Sequence, residues 1–331
     1  MRRRDFFKTT GAALSSAALA TAMPKISAAS NTSTSTTPRD SLLMLAWDSV
    51  GHPHARRMMH DKRLPNLTSF LHEPGAHLTP LAPTGASLTI PVWTEIFTGL
   101  TARQTGAFGN HTMVGRPMEW TEHYDQQHGQ FARVGWFSGI PYEHTLQWAM
   151  QQHGFSTAWL TSKRGYLGVE DAQSPLARIG QNAQLCVTVK PRSIDDPYME
   201  SLAKAAVNFS HRNRKSIIFC HLNPDKFGHA FGGESPEYEH EIERCDETLG
   251  RVLSGIDRER THVMVISDHG FDGAEFRHLN APWSWCATDI PLRQRWADGG
   301  ACTVDVYPTV LEWFDVPARK ELPQLRGRSL L

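Results

Sequence analysis

Four short, nearly continuous apolar runs, Leu42 to Trp47, Phe155 to Leu160, Ser216 to Cys220 and His262 to Ile266, constrain this chain's fold more than any other feature. Strands buried on both faces of a parallel sheet read this way, whereas half-exposed strands alternate between apolar and polar residues. Helical patterns fall between the runs. The clearest starts at Ser235, a capping residue, with Pro236 at the first helical position. It lines Tyr238, Ile242, Cys245, Leu249 and Val252 along one face until Gly255 stops it. The pattern predicts an α/β fold with a mainly parallel central sheet flanked by helices, and 331 residues suffice to bury a sizeable core.

Three of the strand-like runs lead straight into carboxylates or imidazoles. The run ending at Trp47 is followed by Asp48, and the run ending at Cys220 leads into His221-Leu222-Asn223-Pro224-Asp225-Lys226-Phe227-Gly228-His229. The run ending at Ile266 continues Ser267-Asp268-His269-Gly270. Side chains at the ends of parallel strands converge on one sheet edge, and Asp and His are the ligands that zinc and similar divalent ions take. Taken singly, each element also fits a helix cap or a plain turn. Their coincidence in one chain points to a metal site.

A fourth element supplies a nucleophile. In Ser87-Leu88-Thr89-Ile90-Pro91-Val92-Trp93, Pro91 suits the first turn of a helix and places Thr89 at its positive end, where a phosphate meets free backbone N–H groups. A threonine hydroxyl is a weak nucleophile, and metal coordination is one of the few ways to activate it. The plain alternative is a capping threonine.

These motifs resemble the alkaline phosphatase superfamily, and most closely its nucleotide pyrophosphatase/phosphodiesterase branch. The resemblance rests on Thr89-Ile90-Pro91 with Thr98-Gly99, on Asn110 about twenty residues beyond the nucleophile, and on Pro224-Asp225-Lys226-Phe227-Gly228-His229. It also rests on Ser267-Asp268-His269-Gly270 and the C-terminal Asp305-Val306-Tyr307-Pro308 and Gly327-Arg328-Ser329-Leu330. It implies a hydrolase of phosphate esters, diesters before monoesters, working through a phosphothreonine on Thr89. Two divalent metal ions are implied, Zn2+ first and Mn2+ as an alternative. One would be held by Asp225, His229 and a further histidine, for which His278 is the one candidate after His269. The other would be held by Asp48, Asp268, His269 and the Thr89 oxygen. Asn110 and the Ile90 N–H would stabilise the phosphoryl oxygens. A phosphotransferase or mutase of the same superfamily, and an inactive exported binding protein on the same fold, are the rival expectations.

The chain also departs from that branch. Ile90 stands where nucleotide-cleaving relatives have a base-stacking aromatic residue, so a base clamp would fall to Trp93, Trp120 or Phe227, rings that more often serve core or cap packing. The His-Gly that usually follows the Thr-Gly pair reads Thr105-Gly106. Sulfatase relatives need Cys or Ser at the nucleophile position and an arginine two after the proline, and Thr89 with Trp93 argues against that reading.

The N-terminus reads as an address. Arg2-Arg3-Arg4-Asp5-Phe6-Phe7-Lys8, then a short weakly apolar stretch and small residues, resembles a twin-arginine export signal over residues 1–28. A Ser/Thr-rich linker over 29–40 then precedes a catalytic domain over 41–331, of which about 116–214 is expected to be partly a cap or insertion. The expected location is periplasmic or secreted, through the twin-arginine export machinery. No apolar run approaches the roughly 18 residues of a membrane span, so no stable membrane insertion is expected. With 34 basic and 34 acidic residues and no polybasic stripe, the expected substrate is a small phosphate ester and not a nucleic acid polymer. Five cysteines without a C-x-x-C spacing indicate neither a zinc ribbon nor a disulfide framework, although Cys286 and Cys302 could pair.

Overall fold

In the computed structural model, which describes residues 40–107, 110, 124–125, 130–131, 142–163, 167, 175–278, 281, 283–293 and 300–331, the first apolar run is strand β1 (Ser41–Trp47). There follow helices α1 (His52–His60) and α2 (Pro65–Leu71), strand β2 (His77–Ala82), and helices α3 (Thr89–Thr98) and α4 (Ala102–Thr105). A short antiparallel pair, β3 (Tyr124–Asp125) and β4 (Gln130–Phe131), stands apart from the main sheet. The chain continues through α5 (Leu146–Gln152), β5 (Ser156–Thr161), α6 (Pro175–Gln181), β6 (Leu185–Thr188), α7 (Tyr198–Arg212) and β7 (Ser216–Leu222). The last part comprises α8 (Asp225–Phe231), α9 (Pro236–Gly255), β8 (Thr261–Ser267), β9 (Ser284–Thr288), β10 (Ala301–Cys302), α10 (Val306–Trp313) and α11 (Ala318–Glu321).

The strands form one eight-stranded sheet in the order β10-β2-β9-β8-β1-β7-β5-β6. From β8 to β6 all neighbours run parallel, and β9 runs antiparallel to both β8 and β2. The four apolar runs are thus four consecutive interior strands, β8-β1-β7-β5, covered on both faces. Successive side chains of a strand point to opposite faces. In β1, Leu42, Met44 and Ala46 accordingly join a core with Ile90, Trp93, Phe97 and Val310, while Leu43, Leu45 and Trp47 join another with Leu67, Tyr198, Ile242 and Leu249.

Helix α9 follows its expected pattern. The Ser235 hydroxyl accepts the Tyr238 N–H at 3.2 Å, Pro236 opens the helix, and Tyr238, Ile242, Cys245, Leu249 and Val252 are all buried. Within the stretch 116–214, part of the chain belongs to the main sheet. Its strands β5 and β6 extend the main sheet, because the apolar Ala158, Trp159 and Leu160 find partners in β7 and form ordinary core. Trp120, most of 111–141, the export signal and all of the linker except Asp40 lie outside the described residues. Cys286 and Cys302 are both free thiols. Among the described residues no helix is long and apolar enough to cross a membrane.

Candidate active site

Strand register decides which side chains meet. Trp47 pairs with Leu222, Ala46 with Ile266, and Thr161 with His221. The chain therefore leaves β1, β7, β8 and β5 at one level, with neighbouring strands about 4.8 Å apart. Asp48, Asp225, Asp268 with His269, and Lys163 all follow within three residues of those strand ends.

Two groups of ligand-type atoms result, each with its members within 4.8 Å of one another: Asp225, His229 and His278, and Asp48, Asp268 and His269. In the first, His229 Nδ1–H donates to the Phe276 carbonyl at 2.8 Å, which leaves Nε2 as a bare lone pair. That lone pair faces Asp225 Oδ1 at 3.3 Å and His278 Nε2 at 3.1 Å. In the second, His269 Nδ1 lies 3.1 Å from the Gly270 carbonyl, an acceptor only, so Nδ1 carries the proton. Its Nε2 lone pair faces Asp268 Oδ2 at 3.3 Å and Asp48 Oδ1 at 3.9 Å.

The carboxylates are oriented to match. Asp268 Oδ1 accepts the backbone N–H groups of Ser49 and His269, both at 3.0 Å, and its enclosed Oδ2 has no hydrogen-bond donor among the described residues. Bare imidazole nitrogens and an unpartnered carboxylate oxygen turned to common points form a donor set that suits divalent cations. Gly228 makes the Pro-Asp-x-x-Gly-His segment possible. A Cβ there would lie 2.2 Å from Phe271 Cε2, so only glycine lets α8 seat His229 against that ring.

Thr89 opens α3 and is fully buried. Its hydroxyl lies 3.3 Å from His269 Nε2, to which it can donate, and it accepts from Lys163 Nζ at 2.9 Å. Asn110 stands beside it, its Oδ1 accepting the Ile90 N–H at 2.8 Å. The Ile90 N–H expected to face phosphoryl oxygens is thus engaged, and the Asn110 Nδ2 group is the donor that remains. Ile90, Trp93 and Phe227 are buried, the first two within the apolar core, so none of them offers a free face to a base. Asp305 of the C-terminal motif is structural: its carboxylate accepts the Cys302 and Arg328 backbone N–H groups at 2.8 and 2.7 Å.

Electrostatics within the site are dominated by burial and by Lys163. Burial pushes the Asp48 carboxyl up, but the Lys163 ammonium and the His221 hydrogen bond outweigh it and hold the pKa well below the carboxylate range. Asp225 is likewise lowered, with Lys163 overcoming burial. Asp268 goes the other way, raised by burial and by the charge of Asp48. Burial lowers His269. Burial, then the neighbouring His269, takes His278 down to about 3. Neutral imidazoles at His269 and His278 and ionised carboxylates at Asp48 and Asp225 are the protonation states that bind metal.

Three contributors stand outside the expected site: Lys163, Ser49 and His221. His221 Nε2 donates to Asp48 Oδ2 at 3.1 Å. Ser49 Oγ lies 2.5 Å from Asp225 Oδ1 and 3.1 Å from His269 Nδ1, so it touches both groups. A signal for Lys163 was present, since Ser162-Lys163 follows an apolar strand just as Asp48 does.

The model of the family described as type I phosphodiesterase / nucleotide pyrophosphatase matches residues 42–313. The chain is 29% identical over 137 residues to a 2,3-bisphosphoglycerate-independent phosphoglycerate mutase of Trichormus variabilis, covering 35% of this chain and 24% of the relative. It is 28% identical over 148 residues to the Rippkaea orientalis protein of the same description, covering 40% and 27%. The chain thus spans about a quarter of the length of the curated relatives it matches. Among solved structures, a Bacteroides thetaiotaomicron VPI-5482 protein described as a candidate sulfatase aligns with TM-score 0.57 at 12% identity, over 88% of this chain and 74% of that one. A second protein, described in connection with glycosaminoglycan metabolism by Bacteroides thetaiotaomicron, aligns with TM-score 0.56 at 10% identity, over 88% and 75%. At such identities the likeness shows a shared fold.

Proposed function

The chain belongs to the type I phosphodiesterase / nucleotide pyrophosphatase family of the alkaline phosphatase superfamily, and we propose that it hydrolyses small phosphate esters, diesters foremost, through a phosphothreonine on Thr89. The observation that carries this reading is a pair of carboxylate–histidine groups at one sheet edge, one reaching a buried hydroxyl at a helix N-terminus through His269 and the other linked to it through Lys163. Asp225, His229 and His278 would hold one divalent cation. Asp48, Asp268 and His269, beside the Thr89 oxygen, would hold another. When bound, such cations, Zn2+ for this nitrogen-containing ligand set or Mn2+, neutralise phosphoryl charge and lower the pKa of an adjacent hydroxyl.

The chain's own residues do the rest. Thr89 Oγ1, having given its proton to solvent, attacks phosphorus in line; the Oγ1–P bond forms as the ester P–O bond breaks. The leaving oxygen takes a proton from water. Asn110 Nδ2 and the positive end of α3 stabilise the equatorial oxygens. Attack by water then breaks the Oγ1–P bond and restores the threonine.

Buried Ile90 offers no stacking surface, which supports a phosphate ester without an obligatory nucleobase. The partial likeness to phosphoglycerate mutases favours a second reading, in which an alcohol takes the phosphoryl group from Thr89; the ratio of transfer to hydrolysis with an added alcohol separates the two. The Arg-rich start of the chain supports export through the twin-arginine machinery to the periplasm.

The test compares bis-p-nitrophenyl and p-nitrophenyl phosphate on metal-loaded protein and on Thr89→Ala. The diester should turn over faster, and the variant should lose activity by about 10³-fold or more, as expected for removal of a nucleophile. A tenfold or greater preference for the monoester would overturn the diesterase assignment. Activity that survives in Thr89→Ala would remove the nucleophile.

A further inference from the structure

Lys163 leaves β5 at the sheet edge where the ligand groups gather, and its side chain is buried. An ammonium has three N–H donors. They reach Asp48 Oδ2 at 2.7 Å, Asp225 Oδ2 at 2.8 Å and Thr89 Oγ1 at 2.9 Å. The division of oxygens is informative. Asp225 turns Oδ2 to Lys163 and Oδ1 to its own histidines, at 3.3 Å from His229 Nε2 and 3.9 Å from His278 Nε2. Asp48 likewise gives Oδ2 to Lys163 and His221, and turns Oδ1 toward His269. The lysine therefore takes the carboxylate oxygens that His229, His278 and His269 do not face.

A buried counter-ion would need only the carboxylates. Yet the third N–H donor goes to the neutral Thr89 hydroxyl, the atom that carries negative charge when it attacks.

We infer that Lys163 is a catalytic residue of the phosphoryl transfer, donating a hydrogen bond to the Thr89 oxygen while orienting one carboxylate of each ligand group. This rests on Thr89 being the nucleophile. Preorganised donors aimed at developing charge are worth about 10²–10³-fold in kcat, and second-sphere partners fix how a ligand presents itself. Lys163 combines both roles because one ammonium bridges all three oxygens.

The test uses the full chain loaded with Zn2+, comparing wild type with Lys163→Met, Lys163→Gln and Lys163→Arg. The readouts are metal per chain, kcat and KM for bis-p-nitrophenyl phosphate, and orthovanadate binding by calorimetry. Vanadate mimics the five-coordinate phosphorus bonded to the nucleophile, so its affinity reports on the Thr89 oxygen without turnover. Lys163→Gln, which keeps a donor and removes the charge, guards against misfolding of the Met variant.

The expected result is wild-type metal content in the Gln and Arg variants, with kcat in Lys163→Gln falling about 10²-fold at little-changed KM. Vanadate binding should weaken by a similar factor, and Arg should recover part of both. Unchanged kcat and vanadate affinity in Lys163→Gln would overturn the proposal. So would a loss of activity that scales with lost metal, because Lys163 would then serve the ligands alone. If metal-loaded wild type cleaves no phosphate ester, the hydrolase reading fails, and the vanadate comparison still decides whether Lys163 acts at the Thr89 oxygen.

Discussion

Removing one hydroxyl, that of Ser49, should weaken one metal site more than the other. Ser49 Oγ donates to Asp225 Oδ1 at 2.5 Å and accepts from His269 Nδ1–H at 3.1 Å. In Ser49→Ala the second group is buffered, because the Gly270 carbonyl still receives His269 Nδ1–H and the Ser49 backbone N–H still binds Asp268 Oδ1. Asp225 Oδ1 loses its shortest hydrogen bond with no substitute. Loss of such supporting partners costs about 10–100-fold in metal affinity, or about 1.4–2.8 kcal/mol at about 1.4 kcal/mol per tenfold. The Asp225/His229/His278 site should fall near the top of that range and the Asp48/Asp268/His269 site near the bottom.

A second substitution separates hydroxyl from backbone. Ser49 sits at φ 66°, the left-handed region that costs a non-glycine residue about 1 kcal/mol or more. Ser49→Gly should therefore weaken metal binding as Ser49→Ala does, yet unfold at higher urea by an amount worth about 1 kcal/mol relative to Ala. Calorimetric Zn2+ titration gives the two affinities, and urea melts in excess chelator give the stability. Wild-type affinity at both sites in Ser49→Ala would refute the role given to the hydroxyl. Equal weakening of the two sites would refute the asymmetry.

Acid stability should depend on His54. Burial first, then Arg57, lowers its pKa to about 4, and Arg57 donates to its Nε2 at 3.1 Å. The folded protein keeps this imidazole neutral down to about pH 4, whereas the unfolded chain protonates it below about 6.5, so folding stability falls with pH across that window by about 2–3 kcal/mol. Urea melts of His54→Gln between pH 7 and pH 4 should show a shallower loss, and an unchanged slope would exclude the assignment. Export should fail when Arg3 and Arg4, which precede Asp5-Phe6-Phe7-Lys8, are both changed to Lys; periplasmic accumulation of the double variant would sink the twin-arginine proposal.

The strands, the α9 cap and the aspartates and histidines at strand ends were legible in the chain itself, because hydrophobic period and capping chemistry act over a few residues. Thr89 at the start of α3 was legible for the same reason, from Pro91 two positions on. Short-range patterns do not carry the pairing of β5 with β7 or of β1 with β8, which brings Lys163 within reach of Asp48, Asp225 and Thr89. Nor do they say that Asn110 takes the Ile90 N–H or that Ser49 spans both ligand groups. Those contacts join residues 20 to 220 positions apart. They follow from strand register and from the shared level of the sheet edge, and packing of the whole domain sets both.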